Sequence, residues 1–138
     1  MIILLVFVLD RFLKLLAFFY EPNFKIFIDF FRFSFAVNYG LAFSINFPTE
    51  ILLFLYLLGF FGLGVILLKT FTRIRYCASI LFILCGAFSN FLDRLFLGYV
   101  IDYFAVFNLN VFNLADLMIL IGAGMFLKNI FKGKDLKS

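Results

Sequence analysis

The sequence has little charge and lacks the side chains on which many catalytic and metal sites depend. Its 138 residues include no histidine, no tryptophan and only two prolines, and 14% of them are charged. Soluble domains carry about 25% charged residues, so the chain falls well outside that class. Without histidine it can form neither an imidazole metal site nor a serine–histidine or cysteine–histidine catalytic pair.

Cysteine is also scarce, and its spacing argues against a disulfide scaffold. Cys77 and Cys85 lie eight residues apart in one apolar stretch. On a helix this spacing separates them by about 12 Å along the axis, which is too far for a disulfide between them. Two thiols without histidine also make a poor zinc site. We therefore predict inert thiols and no metal or other cofactor.

Most of what the sequence does contain is apolar. Hydrophobic residues make up 66% of it, and 25 residues are phenylalanine. Soluble domains contain only about 45–50% apolar residues. This composition predicts an integral membrane protein, a single domain over residues 1–138 with room for about four helical spans.

Four apolar stretches are long enough to be membrane-spanning helices. The clearest has eighteen residues without a charge. At about 1.5 Å per residue it covers about 27 Å of the ~30 Å hydrocarbon layer. The predicted spans are residues 2–20, 51–68, 77–97 and 113–131, which leave a long segment at residues 21–50 and a loop at residues 98–112.

The segment 21–50 contains a strand pattern. In Phe31–Asn38 a phenylalanine or valine alternates with arginine, serine, alanine or asparagine. A period of two is typical of a strand with one apolar face. Because an open sheet edge cannot lie in hydrocarbon, we place a small antiparallel sheet at the outer membrane surface. The predicted fold class is thus an all-α integral membrane protein, a four-helix bundle with a small antiparallel β-sheet on its extracytoplasmic side.

The basic residues orient this bundle. Two of them lie in residues 21–50 and none in residues 98–112, whereas seven lie after the second span or near the C-terminus. Cytoplasmic loops are the ones enriched in lysine and arginine, so both termini are predicted to face the cytoplasm. The seven residues are Lys69, Arg73, Arg75, Lys128, Lys132, Lys134 and Lys137.

Ionisable residues inside a membrane are costly and are therefore candidates for function. A first cluster, Asp10, Arg11 and Lys14, interrupts the first span. The acid precedes Lys14 by four residues, which is the favourable order for a helical ion pair. We interpret Asp10 and Lys14 as a structural ion pair that fixes helix packing, with direct chemistry as the alternative.

A second cluster lies near the end of the third span. Spacings of three and four residues place Asn90 on the same helix face as Asp93 and Arg94. The arginine is permanently charged, so it can hold a carboxylate or backbone carbonyl groups. An aspartate beside an arginine stays ionised, so we predict that Asp93 braces the helix and does not donate a proton.

The third cluster is Asp102, Asn113 and Asp116, and no basic residue separates the two aspartates. Asn113 is a good N-cap for the fourth helix, and Asp116 lies in its first turn, where the helix dipole favours negative charge. A helix start alone explains Asn113 and Asp116. The alternative is a catalytic pair. Two carboxyl groups brought together share a proton, so that one acts as base and the other as acid.

Five sequence blocks contain most of the polar residues described above. They are LDRFLK at residues 9–14, NYGLAFS at 38–44, GAFSNFLDR at 86–94, VIDYF at 100–104 and FNLAD at 112–116. In this order the blocks resemble those of bacterial lipoprotein signal peptidase (signal peptidase II), and the resemblance covers nearly the whole chain. Arg11, Leu13 and Ser89 differ from the residues usual in that family, and the spacing of fourteen between Asp102 and Asp116 is shorter than usual.

The resemblance implies a membrane-embedded aspartic endopeptidase that cuts signal peptides from prolipoproteins just before a diacylglyceryl-modified cysteine. It implies that Asp102 and Asp116 are the catalytic pair. The residues that match family positions lining or supporting the site are Asn38, Asn90, Arg94 and Asn113, to which we add Asp93 as the predicted brace.

The expected location is the bacterial cytoplasmic (inner) membrane, with the active site near its outer face. We expect a monomer whose partners are lipidated prolipoproteins and membrane lipids, without nucleic acid. The alternatives are a proton or ion relay and a structural subunit of a membrane complex. The clustering of polar residues toward one face argues against the relay, because no chain of them crosses the membrane.

Overall fold

The computed structural model describes residues 1–21, 23–27, 31–40, 47–106 and 110–135. Residues 41–44 of the second motif block and Lys137 of the basic C-terminus lie outside the described residues. Along the described chain the elements are α1 (Ile2–Tyr20), β1 (Asn23–Phe27), β2 (Phe31–Asn38), α2 (Thr49–Thr70), α3 (Ile74–Leu97), β3 (Val100–Val106), β4 (Asn110–Phe112) and α4 (Leu114–Asp135).

The four helices match the four apolar stretches, with small differences at their ends. α1 has the predicted bounds, and α2 extends two residues beyond residues 51–68 at each end. α3 begins three residues before the predicted start, and α4 begins one residue later and continues to Asp135. Glu21 and Gly98 follow α1 and α3 in the left-handed conformation, with φ of 42° and 82°. Each donates its N–H to the carbonyl oxygen four residues earlier, which closes the last helical turn.

Three helical segments are long and apolar enough to cross a membrane: Thr49–Thr70, Ile74–Leu97 and Leu114–Lys132. α1 is not in this set, because three charged residues interrupt its 19 residues. The protein is therefore a mostly helical membrane protein with three candidate spans in its described part. The predicted fourth span, through α1, stays a prediction.

The strands form one antiparallel sheet in the order β1-β2-β3-β4. The predicted strand Phe31–Asn38 is confirmed as β2. The connection predicted as an outer loop at residues 98–112 contains β3 and β4. The sequence of β3, VIDYFAV, is rich in β-branched and aromatic residues, which favour strands, and β2 pairs with it along its length.

Two contacts bring the helices and the sheet together. A small core of Ala17, Phe33, Ile101 and Tyr103 joins α1 to the sheet. α3 and α4 approach closely at glycine, since a Cβ built on Gly122 would lie only 2.8 Å from the carbonyl oxygen of Ser79. As a result α1, the end of α3, β3 and the start of α4 meet at one place, where the polar residues lie.

Candidate active site

Asp102 and Asp116 lie on two elements that follow each other in the chain. Asp102 is in β3 and is 3% exposed, and Asp116 is the third residue of α4. The short connection through β4 turns the chain back, so that the start of α4 lies beside β3. A strand and a helix start thus present one carboxyl group each to the same site.

Asn113 is the N-cap of α4, as its sequence position predicts. Its Oδ1 accepts a hydrogen bond from the backbone N–H of Asp116 at 2.9 Å. The carboxylate of Asp116 returns the contact, accepting from the backbone N–H of Asn113 at 3.3 Å. This reciprocal pattern is that of a capping box, and it fixes the Asp116 side chain against the first turn of the helix.

The same asparagine connects the two carboxyl groups. The Nδ2 of Asn113 donates to Asp102 Oδ1 at 2.6 Å, while its backbone N–H donates to Asp116. Asn38 donates to the other oxygen of Asp102 at 3.1 Å, and Asn90 donates to Asp116 Oδ1 at 2.8 Å. In the described part of the chain, no lysine or arginine forms an ion pair with Asp102 or Asp116. Both carboxyl groups are therefore held by amides and keep no basic counterion there.

The electrostatics of Asp102 favour its protonated form. Burial raises its pKa, and the negative charge of Asp116 raises it further, whereas the hydrogen bonds from Asn38 and Asn113 lower it. The result is a pKa of about 7. Two neighbouring carboxyl groups of this kind hold a proton between them near neutral pH, so that an acid and a base are available together.

The structure places Asp93 in an ion cluster with α1. Its Oδ1 lies 2.5 Å from Arg11 Nη1, and its Oδ2 lies 2.8 Å from Lys14 Nζ. Lys14 is also 3.4 Å from Asp10 Oδ2, so the Asp10–Lys14 pair forms and shares its lysine with Asp93. Arg94 is therefore not an ion-pair partner of Asp93 among the described residues. The charged partners of Asp93 come from another helix, because the Asp93 side chain faces α1.

The ion cluster touches the carboxyl pair through Asn90. Lys14 donates to Asn90 Oδ1 at 2.8 Å, which leaves the Nδ2 of Asn90 directed at Asp116. Asp93 also accepts from the backbone N–H of Ile101, beside Asp102, at 3.3 Å. Since an asparagine side chain has one acceptor end and one donor end, the lysine orients Asn90 for its contact with Asp116.

Arg94 holds the end of β2 instead of a carboxylate. Its Nη2 donates to the carbonyl oxygen of Gly40 at 2.6 Å. Its Nη1 donates to the hydroxyl of Tyr56 at 2.6 Å, and the guanidinium carbon lies 5.3 Å from the centre of that ring. Gly40 in turn donates to Asn38 Oδ1 at 3.0 Å, so Arg94 supports the turn that directs Asn38 at Asp102.

Three residues of this network were not picked out as site residues from the sequence. Tyr56 contacts Arg94 from α2, Ser89 donates to Asp10 Oδ2 at 2.5 Å, and Tyr103 donates to Asp10 Oδ1 at 2.8 Å. Ser89 also lies 3.3 Å from Arg11 Nη1, so two residues that differ from the family pattern contact each other. A polar residue on an otherwise apolar helix is a signal for Ser89. For Tyr103 the only signal in the sequence is its position next to Asp102.

Fold and site together define a membrane protein in which a strand and a helix start bring a buried and a half-buried carboxyl group to one place. Two solved chains share this fold, and each is described as a bacterial membrane enzyme. One matches with a TM-score of 0.91 and 20% identity, covering 99% of this chain and 89% of its own. The other has a TM-score of 0.84 and 21% identity, covering 95% and 90%.

Sequence comparison gives the family. The family model for signal peptidase (SPase) II matches residues 2–132, so the chain belongs to the signal peptidase II family. The lipoprotein signal peptidase of Haemophilus ducreyi is 33% identical over 118 residues, which are 78% of this chain and 73% of that protein. That of Pseudoalteromonas translucida is 45% identical over 65 residues, 44% of this chain and 39% of that protein.

Proposed function

We propose that Asp102 and Asp116 are the catalytic pair with which this signal peptidase removes signal peptides from prolipoproteins. The substrate is a precursor whose cysteine carries diacylglycerol, and cleavage falls just before that cysteine. One observation carries the proposal: Asn113 contacts both carboxyl groups at once, the buried one of Asp102 and the half-buried one of Asp116, and neither has a basic partner in the described chain. That arrangement supports an aspartic endopeptidase.

The pair supplies both the base and the acid for hydrolysis. The ionised carboxylate takes a proton from water as the water oxygen attacks the scissile carbonyl carbon. The protonated carboxyl group gives its proton to the carbonyl oxygen, and the proton from water stays on the other carboxyl group of the coupled pair, which leaves a tetrahedral diol. When the carbon–nitrogen bond breaks, the leaving nitrogen takes the proton that came from water, and a diol hydroxyl returns a proton to the pair as the new carboxyl group forms. The products are the carboxyl end of the signal peptide and the amino group of the lipidated cysteine.

The amide side chains around the pair have a supporting part. Asn38, Asn90 and Asn113 keep the carboxyl oxygens in fixed directions, which lowers the reorganisation needed in the transition state. Arg94 stabilises the turn at Gly40 that directs Asn38 at Asp102. Asp93 braces α3 against α1 and does not take part in proton transfer.

In the membrane we place α1 as a fourth span beside the three apolar ones. Its buried charged residues, Asp10 and Lys14, lie in the ion cluster with Asp93. The positive and negative charges of this cluster offset each other. The exposed side chains of α1, such as Leu5, Val8 and Phe12, face lipid. The basic residues that follow α2 support an orientation with both termini in the cytoplasm and the carboxyl pair near the outer face. The protein acts there as a monomer surrounded by membrane lipids.

The test is cleavage of a diacylated precursor by purified protein, with the unlipidated precursor run in parallel. We expect cleavage of the lipidated form only. Asp102→Asn and Asp116→Asn each lower the rate by at least about 10³-fold, because neither variant retains both an acid and a base. Glu50→Gln is the matched control, since it makes the same carboxyl-to-amide change at the exposed start of α2.

Two results would contradict the proposal. One is a near wild-type rate for either dyad variant, which would remove that residue from the pair. The other is an intact lipidated precursor after incubation with folded wild-type protein. In that case proton flux in reconstituted vesicles would decide whether the carboxyl groups serve a relay.

A further inference from the structure

Tyr103 connects three elements through its hydroxyl group. The side chain is fully buried in β3, where its ring packs against Phe33 and Phe104. The hydroxyl donates to Asp10 Oδ1 on α1 at 2.8 Å and accepts from the backbone N–H of Leu114 on α4 at 3.0 Å. Burial and the charge of Asp10 raise the pKa of Tyr103 far above its ordinary value, so the hydroxyl keeps the proton that it donates.

The first turn of α4 is held from outside the helix. The first backbone N–H groups of a helix have no partner within it and need an external acceptor. Here three successive groups have three different acceptors. Leu114 donates to the Tyr103 hydroxyl, Ala115 donates to Asp10 Oδ1 at 3.1 Å, and Asp116 donates to Asn113 Oδ1. The position of Asp116 therefore depends on β3 and α1 as well as on its own N-cap.

β3 is attached to the start of α4 on both of its faces. Successive residues of a strand point to opposite sides, so Asp102 and Tyr103 face different ways. On one side Asp102 accepts from Asn113, and on the other Tyr103 accepts from Leu114. A rotation or shift of the helix start relative to the strand would break one of these two contacts.

We infer that Tyr103 is a positioning residue for the catalytic pair, because its hydroxyl fixes the strand that carries Asp102 relative to the helix start that carries Asp116. The inference rests on the proposed function. It assigns a role in catalysis to a residue that contacts neither carboxyl group of the pair directly. Removal of the hydroxyl leaves the Leu114 N–H without its acceptor and frees the start of α4 to shift.

The experiment compares Tyr103→Phe with Tyr76→Phe in the cleavage assay with a diacylated precursor. Both variants keep the ring and lose one hydrogen bond to α4. Tyr76 is the matched control, since its hydroxyl donates to the carbonyl oxygen of Asn129 at 2.9 Å, near the other end of the helix. Thermal unfolding gives the folded fraction of each protein, and kcat and KM are measured from pH 5 to 9.

For Tyr103→Phe we expect kcat to fall by about tenfold or more, while KM changes by less than about twofold. The basic limb of the pH profile should move to lower pH, because a more distant Asp116 raises the pKa of Asp102 less. Amide hydrogen exchange at Leu114 should become faster. Tyr76→Phe should keep the wild-type pH profile and the wild-type exchange rate at Leu114.

Any result other than these overturns the inference that Tyr103 positions the pair. An unchanged kcat in Tyr103→Phe means that the hydroxyl does not position the pair. A lower kcat with an unmoved basic limb, or a variant that does not fold, assigns Tyr103 a purely structural role. These outcomes are distinct from failure of the proposed function, which would appear as absent cleavage by folded wild-type protein or as activity in Asp102→Asn.

Discussion

At the residue scale, the proposed chemistry depends on the carboxyl group of Asp102, whose surroundings favour its neutral form. Asp102 is buried, it faces a second carboxylate, and the groups that contact its oxygens are amides. An exposed aspartate loses its proton near pH 4, whereas Asp102 keeps it up to about pH 7. A proton is therefore held in the site up to about neutral pH.

This raised pKa makes the stability of the protein fall as pH rises. Between about pH 4 and pH 7 the folded chain holds a proton on Asp102 that the unfolded chain has released. The contribution of Asp102 to the free energy of unfolding is therefore greatest below about pH 4 and declines until about pH 7. The full effect is at most about 4 kcal/mol. Asp102→Asn cannot titrate, so the unfolding free energy of the wild type minus that of the variant should decline over this range. Unfolding measurements on both proteins in detergent from pH 4 to 8 check this expectation. If the free-energy difference between them stays constant or rises with pH, the raised pKa of Asp102 is contradicted.

At the element scale, the start of α4 is placed by close packing against α3. Gly86 and Gly122 lie at this contact, and a Cβ on either residue would overlap atoms of the facing helix. At Gly122 these atoms include backbone, with the carbonyl oxygen of Ser79 at 2.8 Å and the nitrogen of Ile83 at 2.9 Å. Since the backbone cannot move aside as a side chain does, glycine sets the distance between the two helices.

Gly122→Ala should therefore destabilise the protein by about 1–3 kcal/mol, because the added methyl group overpacks the α3–α4 contact. Gly124→Ala is the matched control, since a Cβ there meets no atom within 4 Å among the described residues. It should be neutral or stabilising by up to about 1 kcal/mol, as alanine favours helix over glycine. Thermal unfolding of the two purified variants measures the difference. Equal midpoints would show that the helices can separate at no cost.

At the scale of the whole molecule, α1 is held to α3 by charges. Asp10, Arg11 and Lys14 on α1 meet Asp93 on α3, and the two acidic and two basic groups offset each other. A buried ion cluster of this kind is costly to break, because removal of one partner leaves the others unpaired. It also sets the position of Asn90, through which it reaches Asp116.

Asp93→Asn should lower the free energy of unfolding by about 3–5 kcal/mol, because Arg11 then loses its carboxylate and Lys14 keeps only Asp10. Glu50→Gln, the same chemical change at an exposed helix start, should cost no more than about 1 kcal/mol. Unfolding in detergent measures both variants. A fully stable Asp93→Asn protein that no longer cleaves its substrate would instead give Asp93 a direct part in the reaction.

The elements that depend on local pattern can be predicted from the amino-acid sequence. The apolar stretches marked the four helices, alternation marked β2, and the polar residue before an apolar run marked Asn113 as an N-cap. The motif blocks pointed to Asp102 and Asp116. These features can be predicted because helix and strand periodicity and capping depend on residues close together in the chain.

Only the tertiary structure decided which polar residues meet. The partners of Asp93 are Arg11 and Lys14, about eighty residues away in the chain, and not the adjacent Arg94. The composition of β3 favours a strand, but its partner strand β2 is defined by the fold, as are the contacts of Tyr103 with Asp10 and Leu114. Contacts between distant residues depend on how whole helices and strands pack, and local periodicity does not specify which side chains that packing brings together.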